Sequence, residues 1–286
     1  MSPNLYLQIH NRSIISPYEL DIYIPTLNIA FGCNPTSTHN SSICDPWGGK
    51  PKPNNYHRLK SQMCEDAGIR LIHIFGYEWN HKNEILKSII RNILQSNSSK
   101  IFGRKCKISE ISDEICRRFL SDNHRQGYSQ CSIRIGLYYE DELVSVMTFG
   151  KPRMSISRAN DVEYELVRFC NRLNTTVIGG ASKLFKYFVD NYSPNSIISY
   201  SDFARTSGKL YNMLGFEYAR LSEPGYVWVN TRNDIAYNRM HAQKQNIRRF
   251  LNDDTIDLTK TENDIMISHG YVKVCDSGSK VWIWSK

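Results

Sequence analysis

The segment that most constrains the fold is a strand pattern near the start of the chain, at residues 18–31. Three apolar residues alternate with polar ones, which is the period-2 pattern of a strand with one buried face. Pro25 ends this run, and a second apolar run follows over residues 29–31. The pattern predicts an antiparallel hairpin. It puts Glu19 and Asp21 on one face, because alternate side chains of a strand point the same way.

A helix, a strand and a second helix are predicted behind the hairpin. The first helix begins at Tyr56 and ends at Gly68, a typical C-terminal glycine signal. A β-rich run follows over residues 69–75, and apolar residues at helical spacing predict a helix from Lys82 to Leu94.

Asp21 and His39 are the first candidates for chemistry. A carboxylate at the end of a strand, with a histidine returned near it, suits metal-assisted hydrolysis of a phosphate ester. The acid holds a hard cation through oxygen, and the cation activates water. The alternative is that Asp21 and Glu19 are exposed acids on an amphipathic strand.

The order of these elements, with the motif G-I-R-L-I-H-I-F-x-x-E-W at residues 68–79, resembles the very-short-patch-repair endonucleases and phage homing endonucleases. These belong to the restriction-endonuclease-like (PD-(D/E)XK-type) superfamily. The resemblance covers about residues 8–95. It implies a phage-encoded, DNA-binding homing endonuclease that works in the cytoplasm of a bacterial host and hydrolyses double-stranded DNA with Mg²⁺ or Mn²⁺.

The resemblance also implies roles for individual residues. Asp21 would be the metal-binding aspartate, assisted by Glu19 or another acid. His39 would be the active-site histidine, which positions or deprotonates water or protonates the leaving oxygen. His57 and Lys60 would stabilise the phosphate.

One acidic position departs from the pattern of this family. Relatives read I-A-I-E-x-N where this chain reads I-A-F-G-C-N, so Gly32 stands at the second acidic position. Loss of a carboxylate weakens metal binding and removes charge where the transition state needs it. Three alternatives follow: cleavage is impaired, Glu19 or Asp45 substitutes, or the lobe only binds DNA.

The second half of the chain resembles the GNAT acyltransferase fold. The resemblance rests on a strand ending at residues 147–150, a glycine pair before a helix at Gly179 and Gly180, and the turn L-Y-x-x-L-G-F at residues 210–216. In that family the glycine loop and the helix N-terminus bind the pyrophosphate of acetyl-CoA. Here the loop lacks the usual R-x-x-G-x-G spacing. It could instead pack helix against sheet or hold a DNA phosphate, and a GNAT-type group transferase is an alternative function.

The sequence therefore predicts an α+β protein with a mixed-sheet second lobe. The polar segment around residue 98 suggests a boundary between a restriction-endonuclease-like lobe at residues 1–98 and a GNAT-like lobe at residues 99–232. Residues 233–286 are predicted to form a basic helix and a closing hairpin.

The net charge of +8 favours a polyanionic partner, and double-stranded DNA is the one we expect. Trp47 is predicted to act as a wedge or stacking group. The alternatives are that Trp47 packs against its own domain and that the charged faces are only solvated. The predicted contacts with phosphates or bases are Lys50, Lys52, His124, Arg125, Arg205, Arg239, Lys244, Arg248 and Arg249.

Composition excludes several classes of protein. No run approaches the roughly 18 apolar residues that a membrane-spanning helix needs. The eight cysteines include no C-x-x-C pair, which favours reduced thiols in a cytosolic compartment over disulfides. A zinc site built from Cys33, His39 and Cys44 has no fourth ligand at suitable spacing.

Overall fold

The computed structural model describes residues 6–152 and 162–286. In this part of the chain the strands form four sheets among the helices, which confirms the predicted α+β class. The elements in chain order are β1 (Gln8–Asn11), β2 (Leu20–Ile24), β3 (Ile29–Asn34), α1 (Tyr56–Asp66), β4 (Arg70–Phe75), α2 (Gly76–Ile93), β5 (Ser99–Phe102), β6 (Lys107–Glu110), α3 (Asp113–Asn123), β7 (Ile133–Tyr139), β8 (Glu142–Gly150), β9 (Tyr164–Asn171), β10 (Thr175–Ile178), α4 (Gly180–Tyr192), β11 (Ser196–Asp202), α5 (Lys209–Met213), β12 (Glu217–Leu221), β13 (Tyr226–Asn230), β14 (Ala236–Asn238), α6 (Lys244–Leu251), α7 (Glu262–Ser268), β15 (Tyr271–Cys275) and β16 (Ser279–Ser285).

The chain divides into two compact units, and both are discontinuous in sequence. The first unit comprises Met1–His81, Asp202–Ser207 and Leu221–Ser279, and the second comprises Lys82–Ser201, Gly208–Arg220 and Lys280–Lys286. This division differs from the predicted boundaries at residues 98 and 232. The physical reason is a shared core: Phe75 packs with Val229, Val272 and Val274, so the later segment belongs to the first unit.

The first unit contains the predicted hairpin in a four-stranded sheet with the order β1-β2-β3-β4. β2 and β3 are antiparallel, with Ile22 opposite Phe31, which confirms the hairpin. β3 and β4 are parallel and bring Gly32 opposite His73. Leu20 and Ala30 are fully buried in the core beneath α1.

The helix predicted from Lys82 begins earlier, at Gly76. Its backbone leaves helical geometry at Lys82 (φ −139°, ψ 32°), so α2 is two helical segments joined by a kink. The kink coincides with the boundary between the units, after His81.

A second sheet of the first unit has β13 between β14 and β15. The predicted closing hairpin is therefore wrong: β15 pairs antiparallel with β13, and β16 belongs to the seven-stranded sheet of the second unit. The basic helix predicted to start near Ile235 begins only at Lys244. Asn238 accepts a hydrogen bond from the Met240 backbone N–H and starts a short 3-10 turn there instead.

The second unit is built on a seven-stranded mixed sheet with the order β12-β16-β11-β9-β8-β7-β6. β9 pairs antiparallel with β8 and parallel with β11, and a separate parallel pair joins β10 to β5. Phe188 of α4 stacks on Phe149 of β8 with ring centroids 3.6 Å apart, and both rings are fully buried. This contact holds the helix on the sheet.

No helix in residues 6–152 or 162–286 is long and apolar enough to cross a membrane.

Phe188→Ala is expected to lower the free energy of unfolding of the second unit by about 3–5 kcal/mol, because it removes a fully buried ring and leaves a cavity. Lys186→Ala on the same helix removes only an exposed ion pair with Asp190 and is expected to cost under about 0.5 kcal/mol. Urea denaturation of the two variants measures the difference. Equal destabilisation by the two changes would contradict the assigned packing of α4.

Candidate functional site

Asp21 and Lys60 form a partly buried ion pair in the first unit. The Lys60 side chain is 2% exposed, and its Nζ lies 3.2 Å from Oδ2 of Asp21, whose side chain is 25% exposed. The same carboxylate oxygen accepts the backbone N–H of Cys33 at 3.2 Å. Asp21 therefore has a fixed positive partner supplied by the chain itself.

Gly32 of β3 faces this ion pair. A Cβ at this position would lie 3.3 Å from Nδ1 of His73 and 3.6 Å from both Oδ2 of Asp21 and Nζ of Lys60. The second acidic position of the nuclease pattern, which is Gly32 here, therefore faces the centre of the cluster. Because the residue is glycine, it places no side chain there.

Three histidines complete the cluster. Nδ1 of His39 lies 3.1 Å from Nε2 of His57, within hydrogen-bond distance, and the tautomers of the two rings decide which nitrogen donates. Nδ1 of His73 lies 3.0 Å from the amide nitrogen of Asn34. Because that amide also donates to the Gly32 carbonyl, it donates to His73, and the ring proton of His73 sits on Nε2.

These imidazoles are held neutral. Burial, with a smaller contribution from the positive charge of Lys60, lowers the pKa of His39 to about 3 and that of His57 to about 4. Burial also lowers the pKa of His73 well below its ordinary value. A neutral imidazole can accept or relay a proton. His39, the least buried of the three, is the ring that solvent or a ligand can reach.

The predicted metal site is wrong. Within the described residues no group of three or more His, Cys, Asp or Glu side chains could hold a metal ion, which also removes the zinc alternative. The physical reason is that Gly32 supplies no second carboxylate and Lys60 already neutralises Asp21. A divalent cation here would face an ammonium with a single acid to hold it. The prediction of Mg²⁺ or Mn²⁺ as cofactor is therefore wrong as well.

The two acids considered as substitutes are engaged elsewhere. Glu19 is paired with His10 and Arg12, and its hydrogen bonds to these two side chains lower its pKa. Asp45 accepts the backbone N–H groups of Trp47 and Gly49, both at 2.8 Å.

The loop at residues 45–49 displays Trp47. The indole is 82% exposed, so the alternative of a tryptophan packed against its own domain does not hold. Lys50 is exposed, and Lys52 is half-buried with its Nζ 5.0 Å from the centre of the Tyr56 ring.

Other predicted DNA contacts lie in less accessible positions. Arg205 is 5% exposed and forms a buried ion pair with Glu78, which is not the setting of a phosphate contact. The pKa of His124 falls to about 3 through burial, and its Nδ1 accepts the backbone N–H of Gln126, so the ring is neutral. Arg125 is half-buried in the same turn, and its carbonyl accepts from Lys82.

The four basic residues predicted to contact DNA in the C-terminal segment are all exposed, but two of them donate hydrogen bonds to backbone carbonyls. Nζ of Lys244 donates to the Leu258 carbonyl at 2.8 Å, and the guanidinium of Arg248 donates to the Ile256 carbonyl at 2.8 Å. Arg239 and Arg249 are exposed at the ends of this segment. The basic stretch therefore also stabilises its own fold.

The second unit contains a separate feature that the sequence did not reveal. β9 and β11 are paired over three residues each, ending at Leu166 opposite Ser199, although both strands continue beyond that point. At the point of separation Oγ of Ser199 donates to the Leu166 carbonyl at 2.9 Å and lies 3.3 Å from the hydroxyl of Tyr211. Tyr211 belongs to the L-Y-x-x-L-G-F turn. That motif predicted a GNAT-like fold but did not predict the contact of Tyr211 with Ser199.

Known proteins resemble this chain only at the level of solved structures. No family model matches the chain, and no curated protein matches it. A Bacillus subtilis acetyltransferase in complex with CoA matches with a TM-score of 0.34 and 11% identity, covering 64% of this chain and 99% of its own. A GNAT family acetyltransferase from Elizabethkingia anophelis with acetyl-CoA bound matches with a TM-score of 0.31 and 8% identity, over the same shares. Both TM-scores lie below 0.5, so neither likeness by itself decides the fold.

The predictions of an endonuclease, a hydrolase and a homing endonuclease are wrong. These activities were predicted to use a metal ion held at Asp21, and the described part of the chain holds no group of three or more His, Cys, Asp or Glu side chains that could bind one.

The neutral histidines make the stability of the first unit depend on pH. In the unfolded chain each imidazole titrates near its ordinary pKa of 6.5, whereas the folded values for His39 and His57 are about 3 and about 4. Below pH 6.5 the unfolded chain binds more protons. The free energy of unfolding should therefore fall between pH 6.5 and pH 4, by on the order of 1 kcal/mol per pH unit for each histidine.

Urea denaturation at several pH values measures this slope. A variant with both His39→Gln and His57→Gln should show a clearly shallower slope, whereas His81→Gln, which changes an exposed histidine of the same unit, should not. An unchanged slope in the double variant would contradict the assignment.

Proposed function

We propose that the second unit is a GNAT-like domain that binds an acyl-CoA and transfers its acyl group to an acceptor. The observation that carries the proposal is the separation of β9 from β11 after Leu166 and Ser199. Parallel strands that separate in the middle of a sheet expose backbone N–H and C=O groups at their carboxyl ends, where ligands of open α/β sheets bind.

A CoA thioester has the chemistry to fill such an opening. Its pantetheine arm is extended and carries amide groups, which can pair with the free edge of a strand as an added peptide does. Two carbonyls of the continuing strands are already occupied, since Arg168 donates to Val167 O at 2.8 Å and the Tyr211 hydroxyl donates to Tyr200 O at 3.3 Å. The other backbone groups of β9 beyond Leu166 and of β11 beyond Ser199 would make this pairing.

The start of α4 supports the same proposal. Gly179 has φ +73°, the left-handed conformation that glycine adopts without strain, and it leads directly into the thirteen-residue helix. The backbone N–H groups of a first helical turn and the helix dipole favour a phosphate. No acidic residue lies in this first turn, and Ser182 is exposed there.

Tyr211 is the candidate proton donor. Burial raises the pKa of its hydroxyl, so the group stays protonated at neutral pH. In acyl transfer the acceptor attacks the thioester carbonyl, the carbon–sulfur bond breaks, and the leaving thiolate needs a proton. The Tyr211 hydroxyl accepts from Ser199 and donates to the Tyr200 carbonyl, both at 3.3 Å, at the point where the strands separate. In the proposed reaction this proton moves from the Tyr200 carbonyl to the leaving thiolate.

Ser182→Asp is expected to weaken acetyl-CoA binding about tenfold, because the added carboxylate repels a phosphate at the helix start. The same change should leave the helix folded or slightly stabilised, since an acid in the first turn complements the dipole. Isothermal titration with acetyl-CoA measures the affinity, and Ser182→Asn is the neutral control of similar size.

The absence of any binding of acetyl-CoA or CoA to the unaltered protein would overturn the proposal. Equal affinity of the Ser182→Asp and Ser182→Asn variants for acetyl-CoA would show that the start of α4 is not part of the binding site.

A second candidate function is binding of double-stranded DNA by the first unit, without cleavage. The observation that favours it is the display of Trp47, 82% exposed on a loop that Asp45 holds in place, with Lys50 and Lys52 following. An exposed tryptophan next to lysines suits stacking on a base with contacts to neighbouring phosphates. Such a protein would act in the cytoplasm, as expected from its sequence.

Trp47→Ala is expected to weaken DNA binding about tenfold, whereas Trp47→Phe keeps most of the affinity because a ring remains to stack. Replacing Lys50 and Lys52 by glutamine should reduce the slope of log affinity against log salt by about 0.9 for each phosphate that a lysine no longer neutralises. Fluorescence anisotropy with a labelled duplex measures both effects. Equal affinity of all the variants would exclude this loop from DNA binding.

A further inference from the structure

Two apolar side chains of the second unit stand exposed at the ends of neighbouring strands. β5 and β10 pair in parallel with Phe102 opposite Ile178, and each of these residues is the last of its strand. Phe102 is 43% exposed and Ile178 is 44% exposed, whereas Ile101 and Val177, one position earlier, are buried. Alternate side chains of a strand point to opposite faces, so Phe102 and Ile178 lie side by side on the outer face of this strand pair.

The turn that follows β5 is packed against the start of α4. A Cβ on Gly103 would lie only 3.0 Å from the backbone nitrogen of Gly180, so this close approach depends on glycine. Lys183 of α4 donates to the carbonyls of Gly103 and Cys106, at 3.2 Å and 2.5 Å. These contacts hold the 3-10 turn at Gly103–Lys105 beside the helix start that the proposed function assigns to a phosphate of an acyl-CoA.

The same segment carries positive charge without compensating acids. Residues 97–109 contain no Asp or Glu and four cations, which are Lys100, Arg104, Lys105 and Lys107. All four are exposed, and none of them forms an ion pair within residues 6–152 and 162–286. The guanidinium carbon of Arg104 lies 5.2 Å from the centre of the Phe102 ring. An exposed ring with a guanidinium at its edge suits a ligand that joins a flat base to a phosphate.

We propose that this patch binds the adenosine 3′-phosphate end of the acyl-CoA and makes the second unit specific for thioesters that carry the 3′-phosphate. The inference rests on the proposed function, because the acyl-CoA of that site is its ligand. The adenine stacks on Phe102 and contacts Ile178, and the Arg104 guanidinium makes charge-assisted hydrogen bonds with the 3′-phosphate.

The chemistry of CoA supports this assignment. Its adenine and its phosphates lie at the same end of the molecule, so a pyrophosphate at the start of α4 brings the adenosine to the adjoining turn. The phosphates are also the charged groups of acetyl-CoA, which matches a segment with four cations and no acid.

Isothermal titration with acetyl-CoA and with acetyl-dephospho-CoA tests the inference, because the two thioesters differ only in the 3′-phosphate. We expect the unaltered protein to bind acetyl-CoA about tenfold more tightly. Arg104→Met should weaken the binding of acetyl-CoA about tenfold and leave that of acetyl-dephospho-CoA unchanged, because it removes only the partner of the 3′-phosphate. Phe102→Ala should weaken the binding of both thioesters about tenfold, since both carry the adenine.

Lys107→Met is the matched control. Lys107 is an exposed cation of the same basic segment, but it lies on β6 in the seven-stranded sheet, so both affinities should stay unchanged. Urea denaturation of each variant should give the midpoint of the unaltered protein, since all three substituted side chains are exposed.

The outcomes separate this inference from the proposed function. Equal affinity of the unaltered protein for the two thioesters would overturn the inference and leave acyl-CoA binding intact. Equal weakening of both thioesters by Arg104→Met, or unchanged affinities in Phe102→Ala, would overturn it in the same way. Absence of binding of either thioester would overturn the proposed function and this inference with it.

Discussion

The ion pair of Lys60 and Asp21 determines the chemistry of the first unit. A lysine with a side chain only 2% exposed needs a nearby negative charge, and Asp21 supplies it at 3.2 Å. The buried ammonium in turn disfavours protonation of His39, His57 and His73. The same pairing occupies the carboxylate that a metal would need. Burial is the larger cause of the neutral histidines, and the Lys60 ammonium adds to it. Its pairing with Asp21 also accounts for the lack of a cation site in this cluster.

The two units differ in how far their polar groups are already hydrogen-bonded within the protein. The cluster of the first unit is largely satisfied internally, through bonds among His39, His57, Asn34 and the backbone. The second unit instead has a sheet whose central strands separate while both continue. Arg168 and Tyr211 already donate to two carbonyls of the continuing strands, Val167 O and Tyr200 O, and the remaining backbone groups at the opening require partners. This contrast is why acyl transfer is proposed for the second unit and not for the cluster of the first.

Local patterns predicted the elements well, and distant contacts explain the failures. The alternation of apolar and polar residues, together with Pro25, was enough to predict the hairpin of β2 and β3. The reason is that residues close in sequence determine strand pairing across a short turn. The buried pair of Arg205 with Glu78 joins residues 127 positions apart, and no local pattern shows it. The prediction of a closing hairpin was wrong for the same reason, because β15 pairs with β13, a strand that lies about 40 residues earlier in the chain. The resemblance at residues 68–79 drew attention to Asp21, but Lys60 as its partner is visible only in three dimensions.

The discontinuity of the first unit has a consequence for synthesis in the cell. Its first segment ends at His81 and its last ends at Ser279, so the ribosome must add 279 − 81 = 198 residues before the unit is complete. At roughly 5–20 residues per second this takes on the order of 10–40 s. Until Val229, Val272 and Val274 have been made, Phe75 at the end of β4 lacks these packing partners. The nascent chain is therefore exposed to aggregation for longer than a protein whose units are continuous, and it has a corresponding need for chaperones.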